Sequence, residues 1–115
     1  MMQLVDKVIS VEELKKMSDK MFGNLVKAVV DIEREIMVVD AEFHADEELM
    51  LLESGSAQEN LWGINIHPSK IGGPDWIEFD SMINLRPSQD NRSRGVENPQ
   101  IRECITKVVV RLVKI

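Results

Sequence analysis

The Asn98-Pro99 pair and the apolar residues behind it constrain this chain more than any other feature. An asparagine side chain caps free backbone N–H groups at a helix start, and proline at the first helical position gives up no donor the helix needs. Ile101, Cys104, Ile105, Val108, Val109 and Leu112 then recur at the offsets of one helical face. A helix with a single apolar stripe has to bury it against another layer. The surfaces able to cover it are the runs Leu25 to Ile32, Ile36 to Phe43 and Leu61 to His67, which are rich in β-branched residues and read as strands. Helix against sheet is therefore the expected plan. The valine-rich tail has low helix propensity and suits a late switch to strand.

The remaining segments fit the same plan. Ser10 and Glu13 have the spacing of a capping box, with Ile9 and Leu14 placed as its hydrophobic staple. Val11, Leu14, Met17, Met21 and Phe22 follow at helical spacing, and Gly23 is a natural stop. Met2 to Val5 reads as an edge strand. Asp31 to Glu35 turns the chain between two antiparallel strands, although it contains no glycine. Ala45 to Glu53 reads as a short helix with acids in its first turn, while Leu49-Met50-Leu51-Leu52 would also suit a buried strand. After the turn Ile71-Gly72-Gly73-Pro74, the run Trp76 to Leu85 reads as a strand paired with Leu61 to His67. The sum is a single α+β domain over residues 1–115. It has a four- to five-stranded, mostly antiparallel sheet packed against two or three helices that cover one face.

Bulk properties exclude several classes of function. A length of 115 residues leaves room for one domain only. A net charge of −6 argues against broad non-specific binding to nucleic acid or anionic lipid. Cys104 is the only cysteine, which rules out an intramolecular disulfide and a cysteine-based zinc cage and suits a reducing compartment. On its apolar stripe Cys104 reads as a buried structural thiol. The first residues lack a signal-peptide layout, and no apolar run approaches the roughly 20 residues of a membrane helix. A cytoplasmic protein is expected.

Three groups of residues could carry chemistry. Arg86, Arg92 and Arg94 lie with Ser93 and Gly95 in the polar loop before Pro99. Guanidinium groups converging beside a helix N-terminus would bind an anion or an acidic partner. The alternative is that they pair with the chain's own surplus acids and pin the loop. Asp40, Glu42 and His44 would project from one face of a strand and could hold a divalent metal, or form a solvated face running into an acidic helix start. Glu78 and Asp80, also on one strand face with Trp76 and Met82, could serve as an acid/base pair or be an ordinary exposed sheet face.

Three runs stand out together: Phe43-His44-Ala45-Asp46-Glu47-Glu48; Leu61-Trp62-Gly63-Ile64-Asn65; and Trp76 through Ser88, continuing as Asn91-Arg92-Ser93-Arg94-Gly95-Val96. In order and spacing they resemble the domain-of-unknown-function 5674 family, and the resemblance covers nearly the whole chain. It implies a free-standing prokaryotic cytoplasmic protein and carries no reaction, ligand or cofactor with it. The residues themselves favour a small binding or regulatory domain that self-associates and takes an acidic partner or small anion at Arg86, Arg92 and Arg94. The other reading is a small hydrolase, metal-dependent or acid/base, built on Asp40, Glu42, His44, Glu78 and Asp80. No cofactor is named by any motif.

Overall fold

In the computed structural model, which describes residues 1–21 and 25–115, five strands form one antiparallel sheet. Its strands are β1 (Gln3–Val5), β3 (Val26–Asp31), β4 (Ile36–Val39), β5 (Leu61–Ile66) and β6 (Ile77–Glu78), in the order β1-β4-β3-β5-β6. A second, parallel pair joins β2 (Ile9–Ser10) to β7 (Val113–Lys114), so the tail does switch to strand where its helix ends. The helices are α1 (Val11–Asp19), α2 (His44–Glu53) and α3 (Pro99–Leu112). None is long and apolar enough to cross a membrane. The expected stop at Gly23, and Phe22 of the α1 stripe, lie outside the described residues.

Both helix starts form as their capping residues dictate. Ser10 Oγ accepts from Glu13 N at 3.1 Å and the Glu13 carboxylate accepts from Ser10 N. The staple residues Ile9 and Leu14 are buried. Asn98 Oδ1 accepts from Gln100 N at 2.8 Å and from Ile101 N. The turn without glycine is built by Asp31. Its Oδ1 accepts from Glu33 N and Arg34 N, its Oδ2 accepts from Ser56 Oγ at 2.6 Å, and Glu35 takes the left-handed φ of 56°.

The sheet is covered on both faces, not one. Val26, Ala28 and Val30 of β3, with Met37 and Val39 of β4, Trp62, Ile64 and Ile66 of β5, pack against α1 and α3 through Leu14, Ile105, Val109 and Leu112. The opposite face, with Val29, Ile36, Val38 and Leu61, packs against Leu51 of α2. This is why β3 and β4 lack alternation: strands buried on both faces read as continuous apolar runs.

Three further expectations are corrected. The strand at Ile36 ends at Val39, because Asp40 adopts a left-handed φ of 72°, a conformation aspartate tolerates. The run Trp76 to Leu85 supplies only two paired residues, after which the chain leaves the ladder for a 3₁₀ turn at Met82–Asn84. Cys104 is exposed, since it sits about 100° around the helix from Ile105 and falls at the margin of the buried stripe.

Candidate functional site

The three arginines do not converge. Arg86 is used inside the molecule: its guanidinium donates to the carbonyls of Gln58 and Leu61 and lies 4.3 Å from the centre of the Trp62 ring. Burial lowers its pKa, partly offset by Glu48. The Arg92 side chain is 67% exposed and pairs with Asp90 at 3.5 Å, while its backbone N–H donates to Glu97 Oε2 at 2.8 Å. Arg94 Nε pairs with Asp80 Oδ1 at 2.8 Å. The loop is instead organised by the buried Asn91. Its amide nitrogen donates to Asn84 O at 2.7 Å and Gly95 O at 2.8 Å, and its Oδ1 accepts from Glu97 N. Ser93 Oγ accepts from Gly95 N and closes a local turn.

The acidic residues also separate. With β4 broken at Asp40, that carboxylate turns to Lys20 Nζ at 2.7 Å and the N-terminal amine, Glu42 is exposed, and His44 turns inward. Among the described residues no three His, Cys, Asp or Glu side chains are placed to hold a metal ion. Glu78 Oε1 accepts from Asn65 Nδ2 at 3.0 Å and contacts His67 Nε2 at 3.1 Å, which together hold its pKa below the usual value. Asp80 is committed to Arg94, so Glu78 and Asp80 serve different partners.

What the fold does assemble is a cleft of about 220 Å³ on the α2 side of the sheet. Lys27 of β3 and Asn65 of β5 line it together with His44 and Ala45 at the start of α2. Asp80, Ser81 and Arg94, from the segments flanking the 3₁₀ turn, complete it, with Phe43 and Met82 beside them. Lys27 has no carboxylate partner among the described residues, and its ammonium lies 5.8 Å from the centre of the Phe43 ring. Phe43 holds the cap position of α2 and offers no side-chain acceptor, so the amides of His44 and Ala45 have no side-chain cap, while Asp46 N donates to Phe43 O at 3.2 Å. They add the positive end of a helix dipole to the cleft wall.

The neutral groups of the cleft have defined roles. A carbonyl only accepts, so the 2.8 Å contact of His44 Nε2 with Ile64 O places the proton on Nε2 and leaves Nδ1 as an acceptor. Burial lowers the pKa of His44, which is therefore uncharged at neutral pH. Ser81 is buried, with its N–H donating to Arg94 O at 2.9 Å and its Oγ accepting from Ile83 N at 3.3 Å. It reaches this position because residue 63 is glycine: a Cβ there would lie 2.5 Å from Ser81 Cβ. Next to the cleft, α2 also buries Glu47, whose Oε2 accepts from Ala41 N at 3.0 Å while Oε1 has no partner. Burial pushes the Glu47 carboxyl up to about 9.

A model of the family described as protein of unknown function (DUF5674) matches residues 3–112. The chain belongs to that family. No curated protein and no solved structure matches it. In this DUF5674 chain the cleft is where the three distinctive runs meet: residues 43–45 form its helix end, Asn65 its floor, and residues 80–83 and 94 its outer wall. Lys27, Asn65 and Ser81 of the DUF5674 chain lie outside the three residue groups that the sequence marks for chemistry. Lys27 did carry a signal, as the one charged residue inside the apolar run from Leu25 to Val30.

Proposed function

We propose that the protein is a small binding domain that holds the anionic group of a small ligand or partner in the cleft between the start of α2 and the loop around Ser81. One observation carries this reading: the start of α2, which has no side-chain cap, the half-exposed Arg94 and Lys27, which has no carboxylate partner among the described residues, line the same cavity, where Asp80 is the only carboxylate among those residues. Two cations and a helix N-terminus against one carboxylate leave net positive potential on a chain of net charge −6. Arg94 remains the member of the arginine set that serves the site. Arg86 supports the sheet edge, and Arg92 lies outside the cavity lining. Exposed Phe43 and Met82 at the rim suit an occupant with an apolar portion beside its anion.

Titration with sodium phosphate and sodium acetate, followed by backbone amide NMR, tests the reading. Shifts confined to Ala45, Ser81 and their neighbours, weakened at least about tenfold in a Lys27→Ala, Arg94→Ala double variant, are expected. Shifts scattered over the surface, or binding indifferent to the double variant, would remove the cleft from consideration. Self-association, expected from the sequence, is checked separately by sedimentation of the intact protein.

A further inference from the structure

We infer that the protein self-associates head to tail, the outward ridge of α2 on one copy docking into a groove along α3 of the next. This goes beyond the anion-binding reading and does not depend on it. The groove has a volume of about 600 Å³ and follows α3 from Pro99 to Arg111, a run of roughly 18 Å at the rise of a helix. Phe79, Pro99 and Val110 supply its apolar lining, and Arg102, Lys107 and Arg111 its charge. Glu103 is the one carboxylate in that lining among the described residues. Lys107 pairs with Glu103 at 3.2 Å and Arg111 with Glu35 at 3.4 Å, all four side chains at least half exposed. Arg102 gives one N–H to Val96 O and has no carboxylate partner among the described residues. The groove is therefore positive on a chain of net charge −6.

Helix α2 presents the complement. Asp46, Leu49 and Glu53 stand three and then four residues apart, which sets them on one side of the helix, and all three are exposed. Neither Asp46 nor Glu53 has an ion-pair partner among the described residues, and α2 contains no lysine or arginine. Leu49 is 54% exposed and Val110 55%, the large apolar side chains that α2 and α3 leave most open. The ten residues of α2 span about 15 Å, within the length of the groove. An apolar anchor flanked by acids, laid in an apolar groove rimmed by cations, is the helix-in-groove mode of recognition. Antiparallel docking sets Asp46 beside Lys107 and Arg111, and Glu53 toward Arg102. One molecule cannot make this contact with itself, because α2 and α3 cover opposite faces of the sheet. A second copy can, and since each copy then uses both surfaces the contact is heterologous and repeats.

The experiment is sedimentation equilibrium of the intact protein, up to about 1 mM chain, at low and at high sodium chloride. The average mass is expected to rise with concentration past that of a dimer, and the association to weaken at least about fivefold in high salt. Leu49→Lys and Val110→Gln should each weaken it at least about tenfold. Mixed together, the two variants should form a one-to-one heterodimer that grows no further, because one molecule keeps an intact ridge and the other an intact groove. Both side chains are more than half exposed, so the substitutions leave the core alone, and circular dichroism verifies folding. Should a variant fail to fold, dilution of the wild type still decides: its amide shifts must fall both on the ridge around Leu49 and on the groove around Val110. Shifts at only one of the two surfaces overturn the inference. So does a wild type that stays monomeric, an association that stops at a dimer or ignores either variant, or a mixture of the variants that remains monomeric. Each of these results leaves anion binding at the cleft standing, since neither Leu49 nor Val110 lines it.

Discussion

The side chain of Asn84 pairs with the peptide unit of Gly63 as a neighbouring strand would. Gly63 N–H donates to Asn84 Oδ1 at 2.8 Å, and Asn84 Nδ2 donates back to Gly63 O at 2.9 Å and to Arg94 O at 3.0 Å. Beyond the two residues paired with β6, the outer edge of β5 is thus closed by side chains: Asn84 at Gly63 and Arg86 at Leu61. This satisfies backbone groups that an open edge would offer to another chain.

Asn84→Leu is expected to cost on the order of 3 kcal/mol, because it strands the N–H and the carbonyl of Gly63 in a buried place and removes one of the two donors to Arg94 O. Asn84→Asp should be little better, since it replaces the donor to two carbonyls with an acceptor. Urea denaturation of the three proteins checks the ranking.

Gly63→Ala should destabilise by about 1–3 kcal/mol through overpacking. The new methyl would meet Ser81 Cβ at 2.5 Å and Ser81 Oγ at 2.6 Å, and Ser81 cannot retreat without breaking its bond to Arg94 O. The denaturation midpoint should fall with an unchanged slope.

Glu47 makes stability fall as pH rises. In the unfolded chain its carboxyl titrates near 4.5, whereas in the fold it titrates near about 9. Between these values the folded protein retains a proton that the unfolded chain has lost. The contribution is fully present below about 4.5 and is lost as pH climbs through about 9, at a slope of up to about 1.4 kcal/mol per unit. Glu47→Gln, which imitates the protonated form, should be more stable than wild type at pH 8 and should flatten the profile. Chemical denaturation from pH 5 to 8.5 measures both.

Arg86 and Arg92 should behave as opposites despite their similar sequence setting. Arg86→Lys loses the planar fork that reaches Gln58 O and Leu61 O and its stacking on Trp62, at a cost of about 1–3 kcal/mol, and should alter tryptophan fluorescence. Arg92→Ala, at a solvated ion pair, should stay within about 0.5 kcal/mol of wild type.

Cys104 should react with a soluble thiol reagent in the native protein at nearly the rate of the denatured chain, with no loss of secondary structure. A thiol inside the core would instead react only as fast as the protein unfolds.

The helix starts were legible because capping is local: Ser10 with Glu13, and Asn98 with Pro99, contain their own partners within four residues. The strands β3 and β5 were legible by their runs of β-branched and apolar residues. The run from Trp76 to Leu85 was not, because its departure from the sheet depends on Gly63 in a distant strand and on an asparagine standing in for backbone. Glu47 reads in the sequence as one of the acids in a helix's first turn, and only the position of α2 on the second face of the sheet buries it. The cleft was invisible for the same reason: Lys27, His44, Asn65, Ser81 and Arg94 come from segments whose meeting is a property of strand order.

The pairing of Ile9 and Ser10 with Val113 and Lys114 has a bearing on biosynthesis. A chain emerging from the ribosome amino end first can assemble β3, β4 and β5 early, but α3 and the closing pair that cover this sheet are translated afterwards. Until then α1 alone covers the face formed by Val30, Met37 and Ile64, and the part that α3 will bury is apolar surface open to wrong contacts in the nascent polypeptide.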